Sequence, residues 1–560
     1  MCYKYLIIIY FLISILSANE DLDIDHFYEP ALDGPCITFD PTYTTAFYLN
    51  HYNPNILSDY QILDIRINGS NLTPGSSSLN PLGSYIISPL YNIFIKDTIS
   101  STAFEHNRGD YNYNENVIFI NNKYENNLSS FFMAQSKKYD GLQSINSNSD
   151  PLQNYFLNIS KKYFRLNESL RGSISGSLMY HKENTIIPLI NDSYSRNSEG
   201  FLSGFSVSSY SDIFDFKLSN SFQLNRDNYE LDSYSDVYTS WFDVESKLKI
   251  NNFINIISLY QRKENSYDYK LSEDFDNSVE LDTNKKVILD KLFLTSQFKY
   301  NKLTFNLTLC MLNQDNNDYE YQLISPRLNF NLIYDLNNTI VSLNRVTHSY
   351  LNGFSMYDNS DELLFIDNTL FDLTALKINY RNKFLNLMLE PFQLTSYIYH
   401  SESEDVFDFK LDRLGKVNGI NTFLSFKNNY IIAELKSSFY NSDFSYPINF
   451  YSNYSILFSP KINKKRFRPF IGLNGVFMDL SENSYIDYLS QPYINNSNSN
   501  SNIYKQINLL NVQLGIILNQ FKISYHFSNP INSDILFSFT DSYQSIAPFS
   551  KLQVTWQFLD

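Results

Sequence analysis

From about residue 98 onward, apolar and polar side chains alternate in runs of roughly 9 to 14 residues. Phe521, Ile523, Tyr525 and Phe527 share one side of a run whose other side is Lys522, Ser524 and His526. Leu303, Phe305, Leu307, Leu309 and Met311 stand opposite Thr304, Asn306, Thr308 and Cys310. Leu510, Val512, Leu514, Ile516 and Leu518 repeat the arrangement, with Ile517 as the exception on the polar side. Successive strand side chains point to opposite faces, so each run reads as a strand with one apolar and one mainly polar face. A β-sandwich alternates in the same way. These runs, however, are about twice the ~5 to 6 residues of an ordinary strand and fit a tilted membrane strand. Short links near Asn251-Asn252, Asn301, Asn337-Asn338, Arg381 to Lys383, Asn428-Asn429 and Asn519-Gln520 alternate with longer polar loops. That is the pattern of a barrel with short periplasmic turns and long extracellular loops.

The predicted fold is therefore all-β, a transmembrane antiparallel β-barrel of about 22 strands, with 18 to 24 as the range. The first runs are Thr98 to His106, Asn116 to Tyr124 and Leu128 to Lys137, and the last are Leu510 to Leu518, Phe521 to Phe527 and Ser550 to Phe558. Lys182 to Phe201 reads as a loop able to conceal a hairpin. Asn takes the place of Gly in the turns, because it tolerates left-handed backbone. In the final run Leu552, Val554, Trp556 and Phe558 share a face. Outer-membrane barrel proteins are similar: their last strand ends in an aromatic that the barrel-assembly machinery reads. Here Leu559-Asp560 follows that aromatic.

Residues 1–18 read as a signal peptide, with Lys4 ahead of the apolar run Leu6 to Leu16 and small residues at Ser17-Ala18. That run is too short for a membrane anchor, which needs ~20 apolar residues, and no later stretch is long and apolar enough for a transmembrane helix. Residues 19–97 form a segment ahead of the barrel, which occupies 98–560. The location expected is the outer membrane of a Gram-negative-type bacterium.

Composition fits a barrel once the two faces are considered separately. The 560 residues include 45 Tyr, 45 Phe and 2 Trp, too many aromatics for a disordered chain. They suit lipid-facing and interfacial positions. A mean hydropathy of -0.30 averages an apolar outer face with a polar lumen and polar loops. A net charge of -16 without a sizeable basic stretch argues against nucleic acid.

Ile62 to Gly69, followed by Pro81, Pro89 and Tyr91 to Ile95, resembles the second half of the plug of TonB-dependent receptors. At about 79 residues the segment is roughly half a full plug. Phe104 to Gly141, with Arg108-Gly109-Asp110-Tyr111 and the run Val117 to Tyr124, is similar to the opening barrel segment of porin-like outer-membrane proteins. The resemblances imply solute transport, by a porin-like channel or by an importer with a reduced plug and an energy-coupling periplasmic partner. A surface-binding or structural barrel is a further reading. Partners implied are small-molecule solutes, outer-membrane lipid and lipopolysaccharide, and the assembly machinery.

Motifs for chemistry are missing: no G-x-S-x-G, H-E-x-x-H, C-x-x-C or G-x-G-x-x-G occurs, and the His are scattered. No enzyme activity, cofactor or metal is expected. Cys36 lies in the N-terminal segment, and alternation points Cys310 into the lumen, where a disulfide between them would pin segment to wall; two unrelated thiols are the plainer reading. Acidic stretches around Asp227 to Asp236, Asp268 to Asp282 and Glu402 to Asp408 read as solvated loops, with cation binding as the sharper alternative. Lys461, Lys464, Lys465, Arg466 and Arg468 form a basic cluster at an expected periplasmic turn. Arg108-Gly109-Asp110 invites an adhesion reading that a chance tripeptide explains as well.

Overall fold

The computed structural model describes the strands between Ser101 and Leu559 and most of the short turns. Residues 1–100, Asp560 and parts of the connections, chiefly the longer ones, lie outside it. Each strand pairs antiparallel with its neighbours in the chain, and the last (Phe549–Leu559) pairs with the first (Ser101–Gly109), closing a 22-stranded barrel. Two three-residue strands, Ser484–Ile486 and Pro492–Ile494, form a separate ribbon. No helix among the described residues is long and apolar enough to cross a membrane. Closure removes the unpaired edges, which is how a sheet satisfies every backbone group in lipid.

Connections alternate as the sequence predicts. One end carries 301–302, 337–338, 382–384 and 428–430; the other carries 351–368, 481–505 and 529–548. Asn builds the tight end in two ways. Asn127, Asn301 and Asn337 adopt positive φ of 59°, 51° and 65°, a conformation that costs Asn less than most residues. Asn251, Asn382 and Asn428 instead accept two backbone N–H bonds each on their side-chain oxygen, at 2.7 to 2.8 Å.

The faces divide by alternation. Leu309, Leu514, Leu552 and Trp556 point outward and are 40 to 49% exposed, forming an apolar surface suited to lipid. Their neighbours in sequence, such as Cys310, Gln513 and Gln553, point inward and are buried.

One expectation changes. The stretch 182–201 is not a loop: the strands Arg171–Pro188 and Ser193–Tyr210 run through it and are paired along their whole length. Several connections at the long-loop end, 110–113, 189–192 and 230–233, are correspondingly tight. In these places the polar strand ends continue the ladder beyond the apolar band, and polarity alone read as loop. The first described strand begins at Ser101, and residues 98–100 lie outside the described part.

Candidate functional site: the inner wall

Passage through a barrel is governed by what its inward side chains present, so the inner wall is the candidate site. Three kinds of surface line it.

At the closing seam, hydrogen bonds cross between strands. Asn107 donates its amide to Glu105 and Glu115, both at 2.8 Å. Thr555 on the last strand donates to the other oxygen of Glu105 at 3.4 Å. On the next pair, Ser524 donates to Gln553 at 3.0 Å, and His526 shares a 2.7 Å hydrogen bond with Gln553. All six are buried. Beside them, the Lys522 ammonium stands 5.3 Å from the Phe470 ring centre. Phe470 also packs with Leu457 and Ile517, which explains why Ile517 breaks the polar side of its strand: it belongs to a small apolar cluster on the inner wall.

The second surface is a row of amides. Asn255, Gln297, Asn306, Asn331 and Asn344 lie in register on five successive strands. Asn255 donates to Gln297 at 2.9 Å, and Gln297 to Asn306 at 3.1 Å. The Oδ1 atoms of Asn331 and Asn344 are buried without a hydrogen-bond partner. Further round, Glu390 accepts from Asn421 at 3.2 Å while its Oε2 is likewise without one. Neutral amides can donate and accept, so this wall suits polar, uncharged groups.

The third surface is a basic collar at the short-turn mouth. Among the described inward residues standing first or second from a short turn, Lys123, Arg171, Lys249 and Lys299 come from the first half of the barrel, and Arg381, Lys427, Arg468 and Lys522 from the second. The acidic ones are Asp215 and Asp335. Asp215 accepts from Lys249 at 2.7 Å. Arg468 is therefore not part of a solvated turn as expected: it points into the wall and is 6% exposed, because alternation from Ile471 sets it inward. Lys461 to Arg466 lie outside the described residues.

The remaining predicted residues fall as follows. Leu552, Val554, Trp556 and Phe558 share the outer face of the closing strand, with the Phe521 and Trp556 rings 5.9 Å apart and the Trp556 and Phe558 rings 4.5 Å apart. Leu559 continues that strand and pairs with Ser101. Cys310 points inward and is fully buried; Cys36 lies outside the described residues, and so does the proposed pairing. Asp110 is used structurally: its carboxylate accepts the Ser550 N–H and hydroxyl, both at 2.7 Å. Of the acidic stretches, Asp227 and Asp236 sit on strands rather than loops, and Asp236 receives Arg226 through both guanidinium Nε and Nη2. Glu402 to Asp408 lie almost wholly outside the described residues. Among the described residues no group of His, Cys, Asp and Glu could hold a metal ion.

Sequence reasoning missed the seam network, the amide row and the collar. Each brings together residues from several strands, and register is what joins them. Local alternation gave the face of every member but not its cross-strand neighbour.

No protein-family model matches the sequence, and no curated protein matches it. Solved structures do. The FrpB iron transporter from Neisseria meningitidis (F3-3 variant) superimposes with a TM-score of 0.57 at 11% identity, over 83% of this chain and 82% of that one. The siderophore receptor PiuA from Acinetobacter baumannii gives 0.59 at 11%, over 83% and 82%. The ferric citrate transporter FecA, unliganded, gives 0.59 at 11%, over 82% and 78%. This chain has their barrel fold.

Proposed function

We propose that this chain is an outer-membrane importer of the TonB-dependent-receptor type, with residues 19–97 closing the lumen and an energy-coupling partner on the short-turn side. The observation that carries this reading over a porin-like channel is the burial of small inward side chains. Twenty-two strands enclose a lumen too wide for wall side chains to fill. Yet Ala375 is 1% exposed, Ser219 1% and Cys310 0%, on three separate strands. The buried, unbonded oxygens of Asn331, Asn344 and Glu390 support the same reading, since buried polar atoms are nearly always satisfied. The barrel fold shared with iron and siderophore receptors agrees with import of a small solute.

Planar-bilayer conductance tests it. The full chain is expected to be closed, and a chain lacking residues 19–97 to form stable open channels. Open channels from the full chain would restore the porin-like reading. A barrel closed even without the segment would leave a surface-binding or structural role.

A further inference from the structure

The two ends of the barrel treat charge differently. Towards the long loops, three carboxylates on the outward face are paired with cations: Asp236 with Arg226 at 2.9 Å, Glu264 with Lys286 at 2.6 Å, and Glu199 with Lys182 at 3.8 Å. At the short-turn mouth the described inward residues standing first or second from a turn are eight bases and two acids, one of which, Asp215, holds Lys249. This excess runs against a chain whose net charge is -16, so composition does not account for it.

We infer that the short-turn mouth is an anion-receiving collar, whose inward Lys and Arg side chains hold carboxylate, phosphate or sulfonate groups at the periplasmic end of the pathway. Its geometry supports this in three ways. The bases come from strands all round the barrel, so their fields add towards the axis. The exposed ones, Lys123, Arg171, Lys299, Arg381 and Lys427, line a concave opening with low-dielectric walls, where like charges concentrate the potential and raise the local concentration of counter-ions. Rings of Lys and Arg are also what anion-selective pores use. The amide row of Asn255, Gln297 and Asn306 begins beside Lys249, which is in register with Asn255, so an anionic solute with polar groups would meet neutral hydrogen bonds and then the collar.

The same chemistry has two sources. One is a free anionic solute; the other is the chain's own acidic run Glu20, Asp21, Asp23 and Asp25. The inference rests on the import reading only for the direction of passage. The collar's charge can be tested whether or not the protein transports anything.

The test uses the full chain in membranes, with native cysteines replaced by Ser and a reporter Thr304→Cys, which faces Lys299 across the strand pair. Its reaction with a sulfonate-bearing methanethiosulfonate is compared with that of the trimethylammonium analogue. At low salt the anionic reagent is expected to react roughly tenfold faster, and the ratio to fall towards one near ~1 M salt. Lys299→Glu, Arg381→Glu and Lys427→Glu together should invert it; all three are exposed, so the fold should hold, as retained heat-modifiable gel mobility would verify. Neutralising Glu20, Asp21, Asp23 and Asp25 separates the sources. A faster anionic reaction assigns the collar to the chain's own run, and an unchanged one assigns it to a free solute. Equal rates for the two reagents, or a ratio indifferent to charge reversal, would overturn the inference. So would failure of both Thr304→Cys and the turn variant Asn338→Cys to react, because the collar must be reachable from that side.

Discussion

The closing seam and the wall from Arg171 to Tyr300 solve the same problem with opposite means. In the wall, strands run 16 to 20 residues, and Ile254–Leu271 holds Leu281–Tyr300 through 18 registered pairs. At the seam, Ser101–Gly109 meets the last strand through nine pairs, and the penultimate strand has only eight residues. Backbone ladders therefore dominate the wall, and side chains reinforce the seam. There, buried hydrogen bonds line the inner face, tilted aromatic pairs the outer, and the Asp110–Ser550 clamp closes the top. A barrel is a ring, so every short joint bears on its integrity, and at this one the short ladder is reinforced by side-chain chemistry.

Glycine gives the sharpest way to break this contrast. A Cβ on Gly515 would run into the Phe470 ring and the Ile523 carbonyl oxygen, both backed by neighbouring strands. On Gly176 in the long wall, the nearest heavy atom would be 3.8 Å away. Gly515→Ala is expected to cost about 3 kcal/mol or more, or to stop the barrel closing. Gly176→Ala should stay within about 0.5 kcal/mol. Heat-modifiable gel mobility and urea unfolding in detergent compare them. Equal effects would mean that the short strands leading to the seam are no more tightly specified than the wall.

Next in size is Asn107. Replacing it with Leu removes two donors and leaves the Glu105 and Glu115 carboxylates facing each other in a buried site. Losing partners for buried charged groups costs about 3 kcal/mol. Asp110→Ala, which opens the exposed clamp to Ser550, should cost about 1 kcal/mol. Both are read as shifts in the urea midpoint, with the ladder slope unchanged. If Asp110→Ala proved the worse of the two, the weight of the seam would lie at its rim instead of its inner face.

The contrast also explains what could be read from the chain beforehand. Strand number, the two kinds of connection and the Asn turns follow from period-two alternation and turn chemistry, which are local. The outward face of Leu552 to Phe558 followed for the same reason. The wall's upper ends were misread around 182–201, because Lys182, Glu183, Asn184 and Glu199 look like a loop when burial is the only criterion; paired backbone beyond the membrane has no apolar requirement. The seam was illegible for a different reason. Glu105 and Thr555 are 450 residues apart, and only closure of the ring makes them neighbours. The collar shares that origin: single Lys and Arg beside single turns carry no signal until 22 strands set them on one circle.

The smallest effect is expected where the charges are most conspicuous. Arg226 and Asp236 form the best-aligned ion pair among the described residues, with Nε–H reaching both carboxylate oxygens at 3.1 Å and Nη2 reaching one at 2.9 Å. Tyr238 adds a hydroxyl to the same carboxylate at 3.5 Å. On geometry alone this pair would rank with Asn107. Arg226, however, is 46% exposed, at the end of a strand pair that already has fifteen registered residues. Water screens its charge, and the ladder holds the strands whether or not the pair forms. Arg226→Gln and Asp236→Asn, singly and together, should therefore give a coupling of about 0.5 kcal/mol, shrinking further in high salt. A coupling above about 2 kcal/mol would place this rim in a low-dielectric setting. The long wall would then depend on side chains as the seam does, and the division of labour between ladder and side chain would fail.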